Sequence, residues 1–362
     1  MVKSMISMVC GVALCITLSA CSGSKTTVEK SSGENGKVAV FNNVAEPSFL
    51  DPALMQDLES SRILINMFEG LTAYHPKTLD PVPGVAKTWK ISPDGKTYTF
   101  NLRKNAKWSN GDSVTAHDFV YSWQRVLKPE TASIYAFQLY YIKNAHEINK
   151  GTQKDASQLG VKALDDYTLQ VELNNPTPFF LSIVTFDTLR PVHRATVEKF
   201  GAKWTRPENI VSNGAFVMTE WIPQKHVVLE PNPHYWDRKK VYLDKAIYLP
   251  GEDQETALKR FTKGELLYVP QVPHTKIQSL KGNPEFVEGA FLATYYISMN
   301  INKKPLDNIN VRRALAYAVD REQMVKLVNK GISTTALTPA GTAGYQPPQG
   351  LEFSPSKAKE HL

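Results

Sequence analysis

The chain has 362 residues but only three cysteines, at Cys10, Cys15 and Cys21. None follows Cys21, so the remaining chain has no disulfide framework, no thiol nucleophile and no thiolate metal site of its own. The eight histidines include no pair at H-x-x-x-H spacing. Neither a G-x-S-x-G elbow nor a G-x-x-x-x-G-K-[ST] loop occurs. His117-Asp118 looks like a dyad, but neighbours on a helix diverge. These absences argue against an enzyme and call for no metal and no cofactor. The net charge is +7, yet Lys and Arg are scattered without a long basic block, which argues against a nucleic-acid partner. No apolar run after Cys21 is long enough to span a bilayer.

The N-terminus does carry a pattern. Lys3 precedes an apolar run from Met5 to Ala20, the length of a signal-peptide core. It ends in Leu18-Ser19-Ala20-Cys21, which looks like a bacterial lipobox, with an uncleaved anchor and a chance cysteine as the alternative. Residues 1–20 are therefore read as a signal peptide and Cys21 as a lipidation site. Residues 21–36 are polar and small, a composition that predicts a flexible tether.

From Lys37 onward strand and helix periodicities interleave, which indicates an α/β class. Val161–Leu164 and the alternating Tyr167, Leu169, Val171 and Leu173 flank Asp165-Asp166 as a hairpin. Tyr98, Phe100 and Leu102 form an arm after the Asp94-Gly95 turn, and His226–Glu230 is a further strand. Within Ala106–Arg125, Asn110-Gly111 predicts a sharp reversal and Thr115 an N-cap with Asp118 in the first turn. Asp320 is a second candidate cap, with Gln323 opposite it and Gly331 at the helix end. Trp89, Trp108, Trp123 and Trp221 are read as core or turn packing.

Four further stretches matter as a set: Leu79–Trp89 (LDPVPGVAKTW), Asn213–Trp221 (NGAFVMTEW), Asn232–Asp237 (NPHYWD) and Val311–Glu322 (VRRALAYAVDRE). Together with Ala106–Arg125, and in this order, they resemble the oligopeptide-binding proteins of ABC importers, bacterial solute-binding protein family 5. The resemblance runs from about Lys37 to Leu362. It implies a two-lobed fold of the type II periplasmic-binding-protein kind, with an extra inserted domain. The first lobe would be 37–67 plus 194–291, the inserted domain 68–193, and the start of the second lobe 292–362. That family continues well beyond the point matched by Leu362, so the second lobe is expected to be incomplete. A family segment whose acidic residue holds a peptide's amino terminus has no counterpart. A chain ending there is expected to expose apolar surface and to aggregate.

The resemblance also implies a function and a site. The chain would be a lipid-anchored, monomeric, extracytoplasmic receptor that captures short peptides and delivers them to an ABC importer permease. Alternatives are a receptor for murein or signalling peptides, and a surface lipoprotein without transport activity. Tyr135 matches a cleft tyrosine of the inserted domain, with packing at the domain surface as its other reading. Tyr296 matches a cleft tyrosine near the hinge. In a strand Tyr295 and Tyr296 would face opposite ways, so only one could meet the ligand. Phe291 stands where close relatives often have tyrosine, which removes a hydroxyl. Gln56, Asp57 and Leu58 fall where the family presents backbone to the peptide. Asn329 and Lys330 lie near the position of a lysine that meets the peptide carboxylate.

Overall fold

The computed structural model describes residues 36–251, 253–289, 291–328, 331–342 and 345–362. The signal-peptide, Cys21 and most of the tether expectations lie outside these residues. The chain divides into two compact units, which meet in sequence between Pro270 and Gln271. The division falls ahead of Leu292, where the resemblance puts the start of the second lobe.

The first unit opens with β1 (Val38–Asn42) and α1 (Leu58–Met67). Short strands β2 (Thr72–Tyr74) and β3 (Pro81–Pro83) precede β4 (Ala86–Ile91), β5 (Thr97–Leu102) and α2 (Ala116–Leu127). A short α3 (Ala145–Asn149) leads to the hairpin β6 (Val161–Asp165) and β7 (Thr168–Glu172). Then come α4 (Phe180–Ile183), α5 (Arg194–Phe200), β8 (Phe216–Ile222), β9 (His226–Pro231), β10 (Lys245–Leu249) and α6 (Gln254–Thr262).

Two four-stranded sheets organise these elements. One has the order β1-β10-β9-β8, with β1 parallel to β10 and the rest antiparallel. The other is the antiparallel sheet β4-β5-β7-β6. The first sheet is closed by strands from both sides of the segment that builds the second. Parallel pairing of β1 with β10 requires such a long crossover, since a tight hairpin can join only antiparallel strands. Tyr98, Phe100 and Leu102 point inward from β5, and Leu169 and Val171 from β7. One apolar cluster spans both sheets, from Leu50 through Trp108, Phe119 and Trp123 to Tyr248.

Local chemistry explains the turns. Gly111 takes φ +96°, and the Gly111 N–H closes the reversal onto the Trp108 carbonyl at 2.9 Å. The Asp118 carboxylate accepts the Thr115 N–H at 2.8 Å and the Thr115 hydroxyl at 3.2 Å, locking the start of α2. His117 turns away to Asp166, 3.5 Å off, so the adjacent pair does diverge. Trp108 and Trp123 are fully buried, whereas Trp89 and Trp221 pack half-buried against the core.

The second unit contains α7 (His274–Leu280), α8 (Ile309–Ala318), α9 (Arg321–Val328) and α10 (Pro355–Glu360). Asp320 accepts the Gln323 N–H at 2.9 Å and caps α9, and Gly331 has φ +84°. The strand geometry expected around Tyr295 and Tyr296 is not present. That stretch is irregular, and both tyrosines are exposed rather than alternating. No strand pairs with it among the described residues, so its backbone has no ladder to hold the pleat.

Candidate functional site

The Leu50-Asp51-Pro52 turn is held from within. Asp51 is buried, and its carboxylate takes two parallel bonds from Arg125 of α2, Nη1 to Oδ1 at 3.0 Å and Nη2 to Oδ2 at 2.5 Å. The Ala53 N–H (3.0 Å) and the Trp204 indole N–H (3.3 Å) also donate to it. A bidentate guanidinium is among the stronger ways to fix a carboxylate, so the turn is rigid where the chain emerges into Gln56.

Gln56, Asp57 and Leu58 follow at the surface. Asp57 caps α1 by accepting the Ser60 N–H at 2.7 Å. Its own backbone is extended (φ −136°, ψ 160°). Among the described residues no hydrogen bond engages the backbone of Gln56. Leu58 is 56 % exposed and shares a face of α1 with Ser61 and Ile65, which is also exposed. This face is tied down by the Ser61 hydroxyl, which donates to Asp187 at 2.5 Å.

Tyr135 meets the residue next to Asp187. Its ring stands edge-on to Phe186 with centroids 5.1 Å apart and tilted against Phe137 at 5.9 Å. Phe186 thus meets Tyr135, and Asp187 beside it meets α1. Through these Phe186 and Asp187 contacts, the aromatic pair Tyr135 and Phe137 is linked to α1, with its exposed Leu58 and Ile65 and the unpaired backbone at Gln56 before it, as one shoulder of the first unit. Such a shoulder can add an extended strand through main-chain bonds and accept side chains on apolar and aromatic walls. Ser61 and Phe186 had no signal in the sequence, because the contacts that place them, with Asp187 and Tyr135, are long-range.

Phe291 and Tyr296 belong to the second unit, where both are strongly exposed. Asn329 and Lys330 lie outside the described residues. Among the described residues no group of three or more His, Cys, Asp or Glu could hold a metal ion, and no helix is long and apolar enough to cross a membrane.

The sequence signatures have a different location and a different role. Glu69 receives the Tyr235 hydroxyl on Oε1 at 2.6 Å and the Trp236 indole N–H on Oε2 at 2.7 Å, both from NPHYWD. Its backbone pairs with the Asn213 side chain of NGAF: the Glu69 N–H donates to Oδ1 at 3.0 Å, and Nδ2 donates to the Glu69 carbonyl at 2.9 Å. Gly214 lies so close to the end of α1 that an added Cβ would stand 2.5 Å from the Met67 carbonyl carbon. Arg103 covers the Trp236 ring at 3.7 Å. Burial pushes the Glu69 carboxyl up to about 7, against the pull of Tyr235, Trp236, Arg103 and Arg190. Burial, reinforced by the Glu69 charge, pushes the Tyr235 hydroxyl up. This network clamps the first sheet to α1.

Comparison with known proteins agrees with this architecture. A family model of bacterial extracellular solute-binding proteins, family 5 middle, matches residues 80–362. The periplasmic oligopeptide-binding protein OppA of Salmonella typhimurium is 41% identical over 330 residues, covering 89% of this chain and 60% of its own length. The periplasmic murein peptide-binding protein MppA of Escherichia coli is 39% identical over 308 residues, 83% of this chain and 57% of its own. The crystal structure of Haemophilus influenzae OppA in complex with RPPGFSPFR superposes with a TM-score of 0.83 at 34% identity, covering 91% of this chain and 66% of that one. This chain thus spans about 60% of the length of the relatives it matches, and its fold is theirs over that span.

Proposed function

The chain belongs to the bacterial extracellular solute-binding proteins of family 5, and from that premise we propose that it acts in a peptide receptor serving an ABC importer. The observation that carries this reading is the shoulder of the first unit. It combines open backbone at Gln56 with the Leu58, Tyr135 and Phe137 walls, on a chain 41% identical to an oligopeptide-binding protein. Main-chain pairing is indifferent to side-chain identity, which suits a receptor for varied short peptides. Tyr135, Gln56, Asp57, Leu58, Phe291, Tyr296, Asn329 and Lys330 are the peptide-contacting residues of this reading. Residues 37–67 and 194–291 form the first lobe, 68–193 the inserted domain, and 292–362 belong to the second lobe. The protein is extracytoplasmic, monomeric and held to a membrane through Cys21, and it is not an enzyme. Murein peptides are the second ligand class, favoured by the 39% identity to a murein peptide-binding protein.

Thermal unfolding with a panel of di- to hexapeptides and a murein tripeptide tests this. A ligand at 100 times its dissociation constant adds about 2.7 kcal/mol. If no peptide of either class raises the melting temperature, the receptor reading fails. Tyr135→Ala should weaken the stabilising peptide about tenfold, since a buried ring contact contributes roughly 1 kcal/mol beyond its area.

A further inference from the structure

The end of the first sheet where the chain enters the fold gathers basic groups that are far apart in sequence. The Lys37 N–H donates to Asp244 Oδ2 at 2.8 Å, and the Lys37 carbonyl accepts the Asp244 N–H at 2.9 Å. This seam sets Lys37 beside Lys245, the register partner of Val38 is Lys245 itself, and Arg238-Lys239-Lys240 precede Asp244 by four to six residues. Those three form a single 3-10 turn with every side chain exposed. Arg238 is laid along the turn by a bond from Nη1 to the Val241 carbonyl at 2.9 Å. Lys240 pairs with Asp237 at 2.9 Å and Lys245 with Glu230 at 3.2 Å. The side-chain charges of Lys37, Arg238 and Lys239 have no carboxylate within ion-pair distance among the described residues, although Asp244 holds the Lys37 backbone. Five cations therefore stand against three carboxylates. Among them Tyr242 is 70 % exposed and Val38 45 %.

We propose that this end of the sheet is a docking surface for an anionic lipid bilayer, with Lys37, Arg238 and Lys239 on the headgroups and Tyr242 at the interface. The proposal rests on the anchor reading of Cys21. Only fifteen residues separate Cys21 from Lys37, and they reach at most about 50 Å when fully extended, so this face is the first part of the fold that a membrane anchor brings to the lipid. Basic residues near an anionic leaflet are attracted to it, and tyrosine favours the headgroup level. Three unpaired cations, two of them on one turn, are too few to track a nucleic-acid backbone, which draws its affinity from many phosphate contacts. Docking of this kind would hold the receptor in one attitude above the membrane.

The test mixes the protein purified from bacterial membranes with neutral phosphatidylcholine vesicles and with vesicles containing phosphatidylglycerol. Flotation reports anchoring, and acetylation of each lysine, read by mass spectrometry, reports docking. The expected result is flotation with both, with Lys37 and Lys239 labelled several-fold more slowly on anionic vesicles. Lys162 on the other sheet is expected to be unchanged, and 0.5 M salt should remove the difference. The exposed triple variant Arg238→Glu, Lys239→Glu, Lys240→Glu should float but lose the protection. Flotation only with anionic vesicles, with that protection, supports docking and removes the anchor reading. Flotation with equal labelling on both vesicles overturns docking and leaves the anchor standing. No flotation on either overturns both. Protection that appears without vesicles and grows with protein concentration assigns the face to a second copy of the chain and overturns the lipid proposal.

Discussion

The two units draw on one alphabet and use it differently. In the first, Trp108, Trp123, Tyr98, Phe68, Phe100, Phe119 and Phe180 are fully buried in one continuous cluster. In the second, the buried apolar residues among those described are Ala314, Ala336, Ala358 and Pro273, while Phe291, Tyr295, Ile297, Leu327 and Ile332 are exposed. Both units contain amphipathic helices with good caps. Capping and periodicity form a helix, but most helical stability in a protein comes from what covers the apolar stripe. The lesson is that local signals of equal quality can precede very different energetics.

The largest expected effect that sharpens this contrast is at Asp51. Asp51→Ala leaves the Arg125 guanidinium half-buried and uncompensated, and should cost the first unit about 3–5 kcal/mol in chemical denaturation. A loss below about 1 kcal/mol would mean that the turn is not the rigid support described.

Next comes the Glu69 clamp, through pH. Its native value of about 7 lies above the ordinary 4.5. The native state therefore keeps its proton where the unfolded state has lost it. Its stability should fall as pH rises from about 4.5 to 7 and level off above, by up to about 3 kcal/mol. Glu69→Gln can keep an oxygen on the Trp236 N–H while its amide donates to a rotated Tyr235 hydroxyl. This variant should match the parent near pH 4 and melt higher than the parent at pH 8. Parallel melting curves for both proteins across pH would refute the assignment.

Gly214→Ala should cost about 1–3 kcal/mol, because the new methyl overlaps the Met67 backbone and the sheet must shift away from α1. The smallest effect belongs to the second unit: Leu327→Ser should change stability by no more than about 0.5 kcal/mol. A loss of 2 kcal/mol there would show that Leu327 is covered in solution and would break the comparison. The same exposed side chains should make the chain bind a hydrophobic dye such as ANS under native conditions.

Much of the first unit was legible because its signals are short-range. Asn110-Gly111 favoured a reversal, the Thr115 and Asp118 pair favoured a helix start, and alternation marked β5 and β7. The candidate site was less legible. Gln56 to Leu58 and Tyr135 were reached by resemblance, whereas Ser61, Ile65, Phe137 and Phe186 were not named at all. The Asp51–Arg125 and Glu69–Tyr235 bonds span 74 and 166 residues, and no spacing rule reaches that far. The tyrosine alternation at 295 and 296 failed for the same reason, since a strand depends on a neighbour that period-2 patterning does not supply.

By itself the sequence determined the α/β class, the turns and caps, the want of catalytic motifs and the family, because each depends on residues close together in the chain. Only the tertiary structure decided that NGAF and NPHYWD clamp a sheet to α1, that Phe186 meets Tyr135 while Asp187 beside it meets α1, and that Lys37 is bound to Asp244 at the start of β10. Each of these depends on which distant segments pair, and that choice is made by the burial of the whole core rather than by any local pattern.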